Sequence, residues 1–292
     1  MLGSCFGSEA ARERSVDQWN HSSRAIACVA TIDAALWLLD LSPPARNNAS
    51  NEDDPVMPYE SFSRFYDLVM GDRSVAANFT RRLIERHKPE TKTVLEIASG
   101  TGGILGFLAD TYEVTGLDRS REMLALARKR LPHIRFYRQG MTSFRISKKF
   151  DAIVCVFDSI NHLLSFGEWK KVFRRVALHL NDNGLFVFDV NTVGKLRRLT
   201  EGPVWSREFD RDLVIIKVTG GRRGLFDWDV KIFEHQKRDE YRFFHETIRE
   251  LALPQKQILT ALRDRFKKVK VIDPGGARAS DQSERLYFVC KK

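Results

Sequence analysis

From residue 57 onward the apolar positions fall into two spacings that take turns along the chain. Tyr59–Met70 and Val75–His87 carry them at the helical interval, with Phe79, Leu83 and Ile84 on one side of the second. Val94–Ile97 is a short β-branched and apolar run, Ile104–Ala109 returns to helix, and Tyr112–Leu117 is a second strand. Ser120 is placed to cap a helix whose Met123, Leu126, Ala127 and Arg130 lie on one stripe, and Pro132 stops it. Ile134–Tyr137 is a third strand. Phe150–Phe157 is apolar almost throughout, the signature of a strand buried on both faces of a parallel sheet. Trp169, Val172, Phe173, Val176 and Leu180 define an amphipathic helix ended by Asn181–Gly184, and Leu185–Val190 is a fifth strand. Strands alternating with helices in this way predict a right-handed, doubly wound parallel sheet.

After Asn191 the period drops to two. Phe226, Trp228, Val230 and Ile232 alternate with Asp227, Asp229 and Lys231, and Leu213–Val218 and Tyr241–Ile248 are similar runs separated by turn-like TGGRRG and QKRDE. These residues, within about 200–250, predict an antiparallel meander inserted into the α/β domain. Pro254 then opens a helix with Ile258, Leu259, Leu262 and Phe266 on its apolar face, followed by strands Val269–Ile272 and Leu286–Cys290. The last strand is reached through the loop Asp273–Glu284 without an intervening helix, so it should run antiparallel to its neighbour.

Composition adds a division near residue 56. Residues 1–56 carry four basic and eight acidic side chains, −4, and since the whole chain is +10 the remainder carries +14. Ser42–Pro55, SPPARNNASNEDDP, reads as a linker, and Ile26–Leu41 as a short helix. The expected organisation is therefore a poorly ordered extension, 1–56, and a working domain, 57–292, opening at Met57. Cys5, Cys28, Cys155 and Cys290 show neither pairing nor metal-like spacing, which points to a reducing, cytoplasmic setting and no metal. His245-Glu246 and Glu234-His235 also fit no zinc spacing. No apolar run reaches the roughly 20 residues of a membrane span; Asp33 and Asp40 interrupt the nearest, Ala25–Leu41. Basic residues such as Arg128, Lys129, Lys170, Lys171, Lys267 and Lys268 are spread over many elements instead of forming one nucleic-acid-binding run.

The chemistry concentrates in Val94–Gly103, VLEIASGTGG, and Thr115–Ser120, TGLDRS. A strand ends in Glu96, breaks into the small residues Ala98, Ser99, Gly100, Gly102 and Gly103, and a helix follows, so that exposed backbone N–H groups can meet a ligand. The second strand ends in Asp118, 22 positions after Glu96, where a carboxylate can accept hydrogen bonds from both hydroxyls of a ribose. Ala98, Gly100 and Gly103 also satisfy a dinucleotide fingerprint. Glu96 argues against it, because a pyrophosphate at the turn would meet like charge, whereas a sulfonium and an ammonium would meet a counter-ion.

This E-x-A-x-G-x-G turn with an acidic second strand end resembles the cofactor site of class I S-adenosylmethionine-dependent methyltransferases, over about Tyr59–Lys292. FDAIVCVFDSINHLLS, Phe150–Ser165, resembles the fourth-strand motif of those that act on sugars, amines and small metabolites. The resemblance implies a Rossmann-like α/β fold: a doubly wound seven-stranded sheet with an antiparallel last strand, plus the inserted β meander. It implies S-adenosylmethionine as cofactor and methyl transfer to N or O of a small-molecule acceptor. It also places Glu96, Ala98, Ser99, Gly100 and Gly102 beside the methionine part, Asp118 on the ribose, Arg119 and Met141 against the adenine, Tyr66 near the sulfonium as a cover, and Phe157 at the fourth-strand edge. Two positions depart from the family pattern: Gly140 where many relatives have an acid, and Ala98 for a common glycine. Asp158, Asn161 and His162 become the candidate catalytic residues, His162 as general base because imidazole titrates at about 6.5. An RNA or protein methyltransferase, or a non-catalytic binding domain, is the alternative. The N-P-P-Y motif and a Pro-Cys nucleophile are both absent.

Overall fold

The computed structural model of the protein describes residues 62–292. The expectations for 1–56, for Met57 as a start, for Cys5 and Cys28, and for the first residues of the Tyr59–Met70 helix fall outside that range. Within it the elements run α1 (Ser63–Met70), α2 (Ser74–His87), β1 (Thr93–Ile97), α3 (Gly103–Ala109), β2 (Glu113–Asp118), α4 (Arg121–Arg130), β3 (Arg135–Arg138), β4 (Phe150–Cys155), a 3-10 turn (Ser159–His162), α5 (Phe166–His179) and β5 (Leu180–Asn191). Then follow α6 (Val193–Glu201), β6 (Trp205–Phe209), β7 (Asp212–Gly220), β8 (Leu225–Lys237), β9 (Glu240–Leu251), α7 (Gln255–Arg263), β10 (Lys268–Ile272) and β11 (Arg285–Lys291).

Seven strands form one sheet in the order β10-β11-β5-β4-β1-β2-β3. Strands β1 to β5 are parallel, and β11 pairs antiparallel with both β5 and β10, as the helix-free final connection requires. The continuous apolar runs have a direct cause. Leu95, Ile97, Ile153 and Cys155 face a core built with Trp169, Phe173 and Leu262 on one side of the sheet. Val94, Ala152 and Val154 face Ile84, Leu105 and Leu124 on the other. Successive strand residues point to opposite faces, so covering both faces demands apolar residues at every position.

Helix starts follow local chemistry. The Ser120 side chain accepts from the Met123 N–H, and Ser165 and Glu168 form a capping box at α5. The buried stripe of α4 is Met123, Leu124 and Ala127, while Leu126 and Arg130 turn outward, which corrects the expected stripe. Strand β4 stops at Cys155, two residues short of the expected Phe157, because Phe157 and Asp158 take the left-handed conformation at φ 60° and 49°. Leu180–Gly184 joins the start of β5 across a register break instead of forming a separate turn.

The insertion is a separate four-stranded antiparallel sheet, β6-β7-β8-β9. Its inner face, Val214, Val230, Ile232 and Ile248, packs on Phe62 and Phe65 and so carries α1. Two of its neighbouring elements left no apolar period to read. Strand β6, WSREF, is almost wholly exposed, and α6 buries only Gly194 and Leu196.

Candidate active site

The end of β1 with the turn that follows it, the start of α3, the residues just after β4 and the overlying helix α1 line a half-open cleft. Its floor is the turn after β1. Ala98, Gly100 and Gly102 have φ of 56°, 53° and 75°, so the chain reverses sharply enough for the Ser99 N–H to donate to the Leu117 carbonyl at 2.9 Å. The Gly100 N–H donates to Asp118 Oδ2 at 2.8 Å and the Ser120 N–H to its Oδ1 at 2.9 Å. One carboxylate thus fixes the turn and caps β2, with lone pairs left for further donors. Burial raises the Asp118 pKa against the pull of these backbone donors.

Glu96 is 3% exposed. Its carboxylate accepts from the Leu105 N–H, but its Oε2 has no hydrogen-bond partner. Burial is the main reason its pKa rises to about 8; Arg73 opposes the rise and Asp118 adds to it. A second orphan faces the same cleft. Arg73, just before α2, is 7% exposed, and its Nε also has no partner. Its guanidinium lies 4.9 Å from the Tyr66 ring centre and 5.8 Å from that of Phe157. A Cβ at Gly103 would come within 2.0 Å of Arg73 Nη1, so glycine is needed there for space and not for backbone angle. Sequence reasoning missed Arg73, since nothing in Gly71-Asp72-Arg73 marks it apart from an inter-helix turn.

Tyr66, Glu96, Ala98, Ser99, Gly100 and Phe157 all line the cleft. Burial raises the Tyr66 hydroxyl pKa, with Arg73 opposing. Gly102 instead faces Leu131, Ala127 and Phe136, a packing position. Arg119 is exposed, its carbonyl accepting from Arg138 Nε, and Met141 is half-buried against the main core.

Beyond Phe157 lies a buried polar cluster. Asp158 Oδ1 accepts from Arg285 Nη2 at 2.6 Å, Arg285 also pairs with Asp189, and the Asp158 N–H donates to Asp189 Oδ1 at 3.2 Å. Burial would raise the Asp158 pKa, but Arg285, Lys195 and His162 outweigh it and hold the carboxyl below its ordinary value. His162 lies 3.4 Å from the Arg249 carbonyl through Nδ1, which makes Nδ1 the donor in that contact. Burial pushes its pKa down against the nearby Asp158, keeping the imidazole neutral. Asn161 has a different task from the expected catalytic one. Both of its amide hydrogens are committed, to the Asn191 and Leu251 carbonyls at 3.1 Å each, and its Oδ1 accepts from the Asn191 N–H. It ties the 3-10 turn to β5 and β9.

Glu250, from β9, completes the cluster. Its Oε2 accepts from Asn191 Nδ2 at 3.0 Å, and burial, with Asp158 nearby, raises its pKa to about 8. Asp158, His162 and Glu250 bring ligand-type atoms within 4.8 Å of one another, the spacing of a divalent metal site. Arg285 on Asp158 and Lys195 beside Glu250 already supply two cations there, so the charge balance favours a proton-handling cluster over a metal. A sequence signal for Glu250 exists: it follows Ile248 at the inward positions of a period-two strand, where an acid is out of place.

A carboxyl oxygen and a guanidinium nitrogen without partners among the residues lining one cleft, with a carboxylate on the adjoining strand end, suit an amino-acid group attached to a ribose. Comparison with known proteins agrees. A family profile described as a methyltransferase domain matches residues 94–184. A dTDP-3-amino-3,6-dideoxy-alpha-D-glucopyranose N,N-dimethyltransferase of Streptomyces fradiae is 37% identical over 37% of this chain and 42% of its own length. A dTDP-3-amino-3,4,6-trideoxy-alpha-D-glucopyranose N,N-dimethyltransferase of Streptomyces venezuelae is 33% identical over 40% of this chain and 50% of its own. The match thus spans half or less of each sugar enzyme. The crystal structure of an S-adenosylmethionine-dependent methyltransferase from Clostridium acetobutylicum shares the fold, with TM-score 0.69 and 23% identity over 80% of this chain and 98% of that one. Residues 94–184 thus match a methyltransferase domain, and the sheet has the topology of the S-adenosylmethionine-dependent methyltransferase fold.

Proposed function

We propose that the protein is an enzyme that transfers a methyl group from S-adenosylmethionine to the nitrogen of a small-molecule amine, with amino sugars the leading acceptor class. The observation that carries this reading is the pair of orphaned atoms, Glu96 Oε2 and Arg73 Nε, on residues that line one cleft. When bound, S-adenosylmethionine supplies an activated methyl group on a sulfonium. Glu96 would hold its ammonium, Arg73 its carboxylate, and Asp118 its ribose hydroxyls, while Arg119 and Met141 flank the adenine side. Tyr66 and Phe157, whose rings both lie beside the Arg73 guanidinium, would cover the sulfonium and keep water from it.

The chain's own contribution is then positioning and proton transfer. Asp158, held ionised by Arg285, orients the acceptor amine, and neutral His162 takes its proton. A nitrogen acceptor suits an ionised carboxylate at the edge of β4, and the names of the two sugar relatives specify the same class. The domain is proposed to begin near Met57 and to act without nucleic acid, its basic residues being solvated faces. Among the described residues no helix is long and apolar enough to cross a membrane.

The test is transfer of labelled methyl from S-adenosylmethionine to dTDP-3-amino-3,6-dideoxyglucose, set against the same sugar with a 3-hydroxyl. Label in the amino sugar alone supports an amine acceptor. Label in the hydroxyl sugar, or in added RNA or protein only, overturns it.

A further inference from the structure

Asp67, on α1, gathers more partners than any role in holding a short helix requires. Its Oδ1 accepts from Arg73 Nη2 at 2.7 Å and from Thr101 Oγ1 at 2.7 Å, and its other oxygen pairs with Arg130 from the end of α4. One carboxylate therefore joins the cover helix, the residue before α2, the glycine turn and α4. Thr101, in the middle of the turn, is itself 1% exposed and receives Arg73 Nη1 at 3.3 Å and Arg130 Nη1 at 3.2 Å. The same clamp sets Tyr66, the residue before it on α1, over the turn: a Cβ at Gly100 would lie 3.9 Å from its ring.

The charges at this place are unbalanced. Two guanidinium groups, Arg73 and Arg130, share one carboxylate, and Glu96 with a pKa near 8 carries mostly a proton at neutral pH. An added carboxylate would complete the set, and Arg73 still has its Nε to give.

We propose that Asp67 is a positioning residue that aims Arg73 at the cofactor's carboxylate and clamps α1 over the turn, so that cofactor loading and closure of α1 are one coupled event. The proposal rests on the reading of the cleft as an S-adenosylmethionine site. Loading the cofactor gives Arg73 a second anion and pins it more firmly between α1 and the turn; releasing the cofactor loosens the same contact. Coupling of this kind is reciprocal, so whatever weakens the clamp must weaken retention of the cofactor.

The experiment uses the full chain and S-adenosylhomocysteine as the probe. Its dissociation rate is measured by surface plasmon resonance, and hydrogen exchange of Ser63–Met70 is followed with and without it. In the unaltered protein the probe should slow exchange across α1. Asp67→Asn keeps the side-chain shape but removes the charge; it should release the probe at least about tenfold faster, and the probe should no longer protect α1, since charged hydrogen bonds are lost. Asp67→Glu should fall between the two. Arg130→Gln, which alters only the outer arm of the clamp, should speed release by about two- to fivefold and is the measurement to rely on if Asp67→Asn does not fold. Wild-type release and protection in Asp67→Asn, or wild-type release in a folded Arg130→Gln should Asp67→Asn fail to fold, overturn the coupling while leaving the cofactor reading intact. No binding of the probe to the unaltered protein overturns both.

Discussion

The raised pKa of Glu96 makes a prediction that a purely geometric account of the cleft would not. At about 8, the carboxyl is roughly nine-tenths protonated at pH 7 in the ligand-free protein. An ammonium placed beside it favours the ionised form, so binding of S-adenosylhomocysteine should expel a proton. The proton lost at pH 7 should number close to one per site, and affinity should rise about tenfold from pH 6 to 7 and then level off as pH passes 8, because one unit is worth about 1.4 kcal/mol. Ligand-free stability should move the other way. A carboxyl raised from 4.5 to about 8 on folding binds more protons folded than unfolded between those values, so its contribution is fully present below 4.5 and is lost as pH rises through 8. The assay is calorimetry of S-adenosylhomocysteine binding in buffers of different ionisation enthalpy, repeated with Glu96→Gln. The variant should release no proton and bind with flat pH dependence between 6 and 8. Equal proton release by variant and unaltered protein would refute the assignment of Glu96 to the ammonium.

Three further outcomes follow from the same geometry. Asp118→Ala removes the acceptor of two backbone donors and of the ribose hydroxyls; S-adenosylhomocysteine affinity should fall at least about tenfold, with a lowered unfolding temperature, and an unchanged dissociation constant in the folded variant would take Asp118 out of the site. His162→Gln should lower turnover by about a hundredfold or more with cofactor affinity unchanged, and the loss should shrink at high pH where the acceptor ionises unaided. In the unaltered enzyme the acid limb of the pH–rate profile should lie below 6.5, since burial lowers the His162 pKa; turnover lost only through acceptor affinity would make His162 a positioning residue. Gly103→Ala should drive Arg73 from the cleft and weaken S-adenosylhomocysteine about tenfold without unfolding the protein, because the displaced atoms belong to the end of a flexible side chain; unchanged affinity would separate Arg73 from the cofactor.

How much of this was legible in the chain depended on whether a residue's role is set locally. The α/β sheet, its antiparallel last strand and the cofactor turn were readable because burial on two faces forces unbroken apolar strands, and a sharp strand-to-helix turn forces small residues. Glu96 and Asp118 were readable because each lies in the last two residues of a strand beside that turn. Arg73, Glu250 and Arg285 were not, since they reach the site from an inter-helix turn, the inserted sheet and the last strand, and only tertiary packing brings them together. Asn161 shows the converse: its place in the fourth-strand motif marked it for chemistry, while its hydrogen bonds to Asn191 and Leu251 commit it to holding the loop. Strand β6 escaped because an exposed edge strand, WSREF, has no buried face to impose a period.

The central claim is that the cleft holds S-adenosylmethionine, and calorimetry of the full chain with S-adenosylhomocysteine, set against NAD at the same concentration, tests it most directly. The account predicts one S-adenosylhomocysteine per chain and no heat from NAD, because an ammonium beside the buried Glu96 ionises its carboxyl and is held by it, whereas a pyrophosphate would gain nothing from it. Tight binding of NAD with none of S-adenosylhomocysteine would contradict it.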